Sequence, residues 1–368
     1  MNYIYKFDDE SIPFWIYALF YVAYLIPSLY FCYKIVLGKK RYCPSSITTA
    51  FFLLYFSLFV VFYCVGTDYF RYRDWMYLYN FSNWDKERIY LNLIFFCRTI
   101  LTDYPYELLR LIVWGGALML VYCSGCLIRK HANPGLVVIL LFVLYSGVFS
   151  YARASLAMSV YFVGLTLFLN AKGIFDKALS IVLIVSSYYF HHEMIVGVAL
   201  FPCLFVPFEK KNNSYLAVLG LIVLIFVISF FFNNTEVLDS VFDNEEISSK
   251  IEDFNEQEHR TFRFSTFIRY LTFFYPFYLV TKAFWRRKVP HTFAGLYRVT
   301  YGILLVSVAF MVISGLRSIY VYRIMYISMI PLALLLSYGY CNRFISKKEF
   351  LKICMLVLLS RTIGFMNS

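Results

Sequence analysis

The chain has 368 residues, of which 61% are apolar, 21% aromatic and only 15% charged, with a mean hydropathy of +0.66. No single water-soluble core hides that much apolar side chain behind a polar shell, which excludes a soluble enzyme, a disordered protein and a secreted disulfide scaffold. The net charge of +12 sits in short Lys/Arg clusters between apolar runs, so it belongs to membrane topology and not to nucleic-acid binding.

The opening MNYIYKFDDESIP is acidic on balance. It lacks the basic n-region and small-residue cleavage site of a secretory signal, so the first apolar run is expected to remain as a membrane helix. Runs that can cross about 30 Å of hydrocarbon fall at 14–36, 47–65, 106–128, 135–149, 154–169, 177–190, 194–208, 215–232, 265–283, 296–315, 320–340 and 351–366. They are continuous, not alternating, which excludes a β-barrel. The stretch 90–101 is apolar but too short to span, and reads as a re-entrant or interfacial helix. The expected fold is an all-α polytopic membrane bundle of about twelve transmembrane helices. It forms one integral domain, 1–368, with outer segments at 66–105 and 233–264.

Lys and Arg set the sidedness. Lys39-Lys40-Arg41, Arg129-Lys130, Lys172 with Lys177, Lys210-Lys211, Arg286-Arg287-Lys288, and Arg343 with Lys347-Lys348 occupy alternate connections that hold almost no acids. By the positive-inside rule these face the cytoplasm. Asp8-Asp9-Glu10 and the segments 66–105 and 233–264 then face outward, which puts the N-terminus outside. The 233–264 segment is acidic, with apolar residues at partly helical spacing that suggest a surface amphipathic helix, and is expected to be mobile and to close over a ligand at the outer face. The nine Cys lie mostly inside apolar runs and the five His are scattered, so they read as packing residues and not as a metal site.

With sides assigned, the unusual polar residues gather at one membrane level. Asp68 follows the second span, Arg153 opens the fifth, His191-His192-Glu193 turns between the sixth and seventh, and Arg317 precedes the eleventh, with Arg323 one helical turn inside it. Each has a plain reading: Arg153 and Arg317 as snorkelling side chains, the histidines and Asp68 as turn residues. Jointly they are ionisable groups at helix ends facing a bundle, where charge is expensive and functional. Several guanidiniums suit a phosphate or pyrophosphate. Asp68 or His191 suits general-base work on a hydroxyl. In the outer segment Tyr69 and Tyr72, interleaved with Arg71 and Arg73, suit stacking on sugar rings, or serve as belt anchors.

The segments GTDYFRYRDWMYLY (66–79), RASLAM (153–158), YFHHEM (189–194) and YRIMYISMIPLALL (322–335), in this order, resemble the EpsG family of polysaccharide-assembly membrane proteins, related in role to Wzy-type O-antigen and capsule polymerases. Asp68, Tyr69 and Tyr72 match that family's Gly-x-Asp-Tyr segment. Arg153, Phe190-His191, Arg323 and Pro331 match its later elements. Ala154 replaces a common Gln, and Glu193 stands where a small residue is common. The resemblance implies a GT-C-like helical bundle in the bacterial cytoplasmic (inner) membrane. The implied reaction is transfer of a growing glycan from undecaprenyl pyrophosphate to a hydroxyl of a lipid-linked repeat unit. The base would be Asp68 or His191. Pyrophosphate and glycan would be held by Arg153, Arg317, Arg323, Arg71, Arg73, Tyr69, Tyr72, His192 and Glu193. Neither a cofactor nor a metal is expected, since the arginines neutralise the leaving group. The expected partners are the undecaprenyl-pyrophosphate-linked oligosaccharide, the bilayer and a chain-length regulator. The rival readings are a lipid-linked oligosaccharide flippase or other transporter, and a membrane O-acyltransferase that decorates glycans.

Overall fold

The computed structural model describes residues 12–38, 41–64, 73, 76, 88–145, 152–210, 212–220, 222–223, 264–314 and 319–366. Within them the helices include α1 (Phe14–Leu37), α2 (Ser46–Phe62), α3 (Arg88–Ile100), α4 (Pro105–Leu127), α5 (Pro134–Tyr145), α6 (Ala152–Asn170), α7 (Ile174–Phe190), the short α8 (Ile195–Ala199), α9 (Phe264–Phe284), α10 (His291–Ser314), α11 (Ile319–Ile327), α12 (Met329–Cys341) and α13 (Lys347–Met366), and residues 212–220 are helical as well. No strand occurs among the described residues. Four helices, α1, α4, α6 and α10, are long and apolar enough to cross a membrane, and α11 with α12 makes a fifth if that bent pair counts as one span. About twelve spans were expected from the sequence. α2 and α5 are shorter apolar helices.

Two helices have no polar side. α5 is buried from Gly135 to Tyr145 and α12 from Met329 to Tyr340. A helix that is hydrophobic all round belongs in the centre, and these two pack on each other. Around them, α2 brings Phe52, Phe56 and Phe59 edge-on to Phe142 of α5. On the periphery, α1 and α7 turn apolar side chains outward, among them Phe14, Leu19, Ile26, Phe175 and Val182. In water such a surface would aggregate; in lipid it is the ordinary outer face. α6 and α7 approach closely at Gly164, where an added Cβ would lie 2.9 Å from the Ser180 carbonyl oxygen. Small residues permit this backbone approach where lipid offers no hydrophobic drive.

The expected span 194–208 is not one helix. It runs as a 3-10 turn (His192–Met194), α8, and a second 3-10 stretch (Phe201–Phe205). Pro202 and Pro207 each remove a backbone donor, and Cys203 N–H donates instead to Leu200 O. The expected span 320–340 is also interrupted: α11 and α12 meet at 45°. Pro331 cannot donate back to Ile327, and at the break Ser328 Oγ donates to Met325 O at 2.6 Å.

The basic connections lie at one end of the molecule. Lys347 donates to Gly38 O, Arg41 to Tyr340 O and Ile345 O, and Asn342 to His131 O. Thr292 bonds Asn170, and Arg287 covers the Phe344 ring at 4.7 Å. Helix starts are capped there as their sequences direct: Ser45 for α2, Asn133 before Pro134 for α5, and a reciprocal Ser346/Glu349 box for α13. α12 ends through Arg343 at φ 60°, which lets Phe344 and Ile345 donate back to Gly339 O.

Candidate functional site: a carboxylate bridging Arg323 and His191

The end opposite the basic loops carries the site. α7 ends at Phe190, and the chain turns through His191, extended at φ −158°, into the 3-10 turn that holds Glu193. That turn packs on α6, α7, α8 and α11. α8, which follows the turn directly, is pinned by Tyr161 of α6, whose hydroxyl donates to Gly197 O at 2.7 Å. A Cβ at Gly197 would press on Met194 and on the Tyr161 ring, so glycine permits that approach.

Glu193 divides its carboxylate between two partners. Oε1 accepts from Arg323 Nη1 at 2.6 Å, and Oε2 lies 3.1 Å from His191 Nε2. The side chains of His191 and Glu193 are 10% and 22% exposed, whereas Arg323 is 41% exposed. Burial alone raises the Glu193 carboxyl pKa. The hydrogen bonds and charges of His191 and Arg323 outweigh it and hold that carboxyl below the ordinary glutamate value. His192 is exposed, with its ring centroid 5.0 Å from that of His191.

Arg153 opens α6 at the same end, its guanidinium 5.9 Å from the centroid of the buried Tyr90 ring of α3. α3 is 13 residues long, about 20 Å at 1.5 Å per residue. Its first turn meets Arg153, and the chain then enters α4 beside the end of α2. Arg73 is buried, with 5% of its surface exposed. Asp68, Tyr69, Arg71, Tyr72 and Arg317 lie outside the described residues, as does 233–263. The structure therefore brings together His191, Glu193 and Arg323, with His192 beside them in the same turn, while Arg153 opens α6, a helix that packs on that turn. Among the described residues no group of three His, Cys, Asp or Glu converges as metal ligands do.

Three features were missed from the sequence. Arg269, exposed near the start of α9, lies 5.4 Å from the Tyr322 ring, and Tyr270 stacks on Tyr322 at 4.8 Å with planes 3° apart. This aromatic pair adjoins Arg323, and the signal was a charge just inside an expected span. Arg298 grips Glu209 through Nε and Nη2, and Leu204 O through Nη1. Arg110 binds the end of α2 through Tyr63 O and Val60 O.

The buried all-round helices, the lipid-facing periphery and the segregated basic loops define a helical membrane protein with a charged site at one end. A family model described as the EpsG family matches residues 45–366. The chain belongs to the EpsG family, which is one of Wzy-like polysaccharide polymerases. No curated protein and no solved structure matches it significantly.

Proposed function

We propose that the protein is a polysaccharide polymerase of the bacterial cytoplasmic membrane, working at the outer leaflet with its basic loops in the cytoplasm. A growing glycan on undecaprenyl pyrophosphate is the donor. A hydroxyl oxygen of a lipid-linked repeat unit attacks the anomeric carbon, the bond to the pyrophosphate oxygen breaks, and undecaprenyl pyrophosphate leaves. The hydroxyl proton passes to His191 or Asp68. Arg323 and Arg153, with Arg317, bind the diphosphate and stabilise the charge that grows on it. Tyr69, Tyr72, Arg71, Arg73 and His192 guide the glycan, and α3 lies at the interface.

The observation that carries this reading is Arg323. Its guanidinium is substantially exposed and, among the described residues, held by a single N–H on Glu193, beside an imidazole, in a member of a polymerase family. Deleting the gene and resolving the surface glycan by gel tests it. A ladder should collapse to one repeat unit, and an unchanged ladder rejects the reading.

One observation favours a second reading, a lipid-linked oligosaccharide transporter. Two interrupted segments, 192–205 and 319–341, meet at the site, and broken helices facing each other suit alternating access. Single repeat units trapped on the inner leaflet of the deletion strain would support that reading.

A further inference from the structure

Arg323 donates one N–H, from Nη1, to Glu193. A guanidinium held that way keeps its Nε–Nη2 edge whole, and that edge is a planar two-donor fork matched to two phosphate oxygens. The same carboxylate reaches His191 Nε2 with its other oxygen. We propose that Glu193 is a positioning residue: it holds Arg323 so that the Nε–Nη2 edge faces a diphosphate, and it orients the His191 imidazole through Nε2. The diphosphate rests on the polymerase reading above; the three-residue linkage does not.

A carboxylate at Nε2 favours the charged imidazole and fixes which nitrogen carries the proton. Other charged or titratable groups surround the ring. His192 neighbours it in the turn, α6 carries Arg153 and Tyr161, α7 carries Tyr188 and Tyr189, and α11 carries Arg323. The His192 ring lies 5.0 Å from it, centroid to centroid. Glu193 is the carboxylate paired with the ring, so removing its charge is the perturbation that bears on the linkage. Gln at this position keeps a carbonyl for Arg323 Nη1 and turns an amide donor toward His191. Ala releases both partners.

The test uses the full chain in nanodiscs with 15N-labelled histidine, the His191 signal being identified by its loss in His191→Gln. In Glu193→Gln the His191 titration should fall by about one pH unit or more. Glu193→Asp, which keeps the charge, should hold it near the wild-type midpoint. A midpoint unmoved by Gln overturns the linkage, and this readout needs no substrate. The second arm measures polymer formation on a lipid-linked repeat unit. Glu193→Gln should lower kcat about 10- to 100-fold with KM little changed, whereas Glu193→Ala should also raise KM because Arg323 is no longer held. Equal KM in both variants overturns the role toward Arg323. A wild-type protein that makes no polymer rejects the polymerase reading alone, and the titration then still decides the linkage.

Discussion

Arg110 of α4 donates from Nη2 to the carbonyl of Tyr63 at 2.8 Å, and so caps α2 from the neighbouring helix. Its guanidinium is 4.5 Å from the Trp114 ring and is 2% exposed. The end of a helix leaves carbonyls without donors, and a cation there meets the negative end of the helix dipole. Arg110→Met should lower stability by about 1–3 kcal/mol, read as a fall in the detergent melting temperature. Arg110→Lys should recover part of it.

Arg298 and Glu209 form the corresponding pair near the basic end. Burial raises the Glu209 carboxyl pKa, but the bonds from Arg298 outweigh it and leave it lowered. A lowered folded-state pKa adds stability that is complete above the unfolded value, about 4.3, and is lost as pH falls through the folded value. Wild-type protein should therefore lose melting temperature on acidification below that range more steeply than Glu209→Gln. Arg298→Met alone should destabilise more than Arg298→Met with Glu209→Gln, because the single change strands a carboxylate.

Arg153→Ala or Arg323→Ala should abolish polymer with membrane insertion intact. A contact made mainly in the transition state is worth about 3–4 kcal/mol, a hundred- to a thousand-fold in rate. Lys should rescue only in part, since an ammonium lacks the planar fork. Asp68→Asn more severe than His191→Ala assigns the base to Asp68; the reverse order assigns it to His191. Normal polymer from all four at wild-type expression rejects the site.

Tyr145 closes α5 with its ring 5.2 Å from Phe273, and its buried hydroxyl has no hydrogen-bond partner among the described residues. Removing an unsatisfied buried hydroxyl restores no lost bond and removes a desolvated dipole. Tyr145→Phe should be neutral or raise the melting temperature. A clear fall would mean that the hydroxyl binds something in the membrane.

Sidedness is tested directly in a background without native cysteines. Cysteines at Lys40, Lys211 and Arg287 should resist an impermeant thiol reagent added outside, and those at Asn83 and Glu246 should react. Labelling at 287 would invert the orientation and move the site to the wrong leaflet.

Much of this architecture is legible along the chain. A continuous apolar run is its own evidence for a helix in lipid, so α1, α4, α6 and α10 fall where hydropathy places them. Loops that share Lys and Arg also share an end, as Lys347 on Gly38 and Asn342 on His131 show. Hydropathy is blind to the break at 192–205, because Pro202 and Pro207 interrupt hydrogen bonds without making the segment polar. It is equally blind to pairing. Arg153, His191 and Arg323 stand out singly as charges at helix ends, but nothing in the spacing of 193 and 323 says that one carboxylate ties His191 to Arg323. Arg269, Arg298 and Arg110 were absorbed into spans because a window average hides one cation among many apolar neighbours.

The 45° bend between α11 and α12 separates two mechanical regimes. Below it, α12 is enclosed on all sides, and its far end is clamped by Arg41 and Asn342. Above it, the short α11 carries Arg323 and is joined to α12 across a proline-weakened turn. On the proposed reaction, load placed on the guanidinium by a bulky lipid-linked chain would be taken up in that turn, and the loops at the far end would be insulated from each cycle of loading and release.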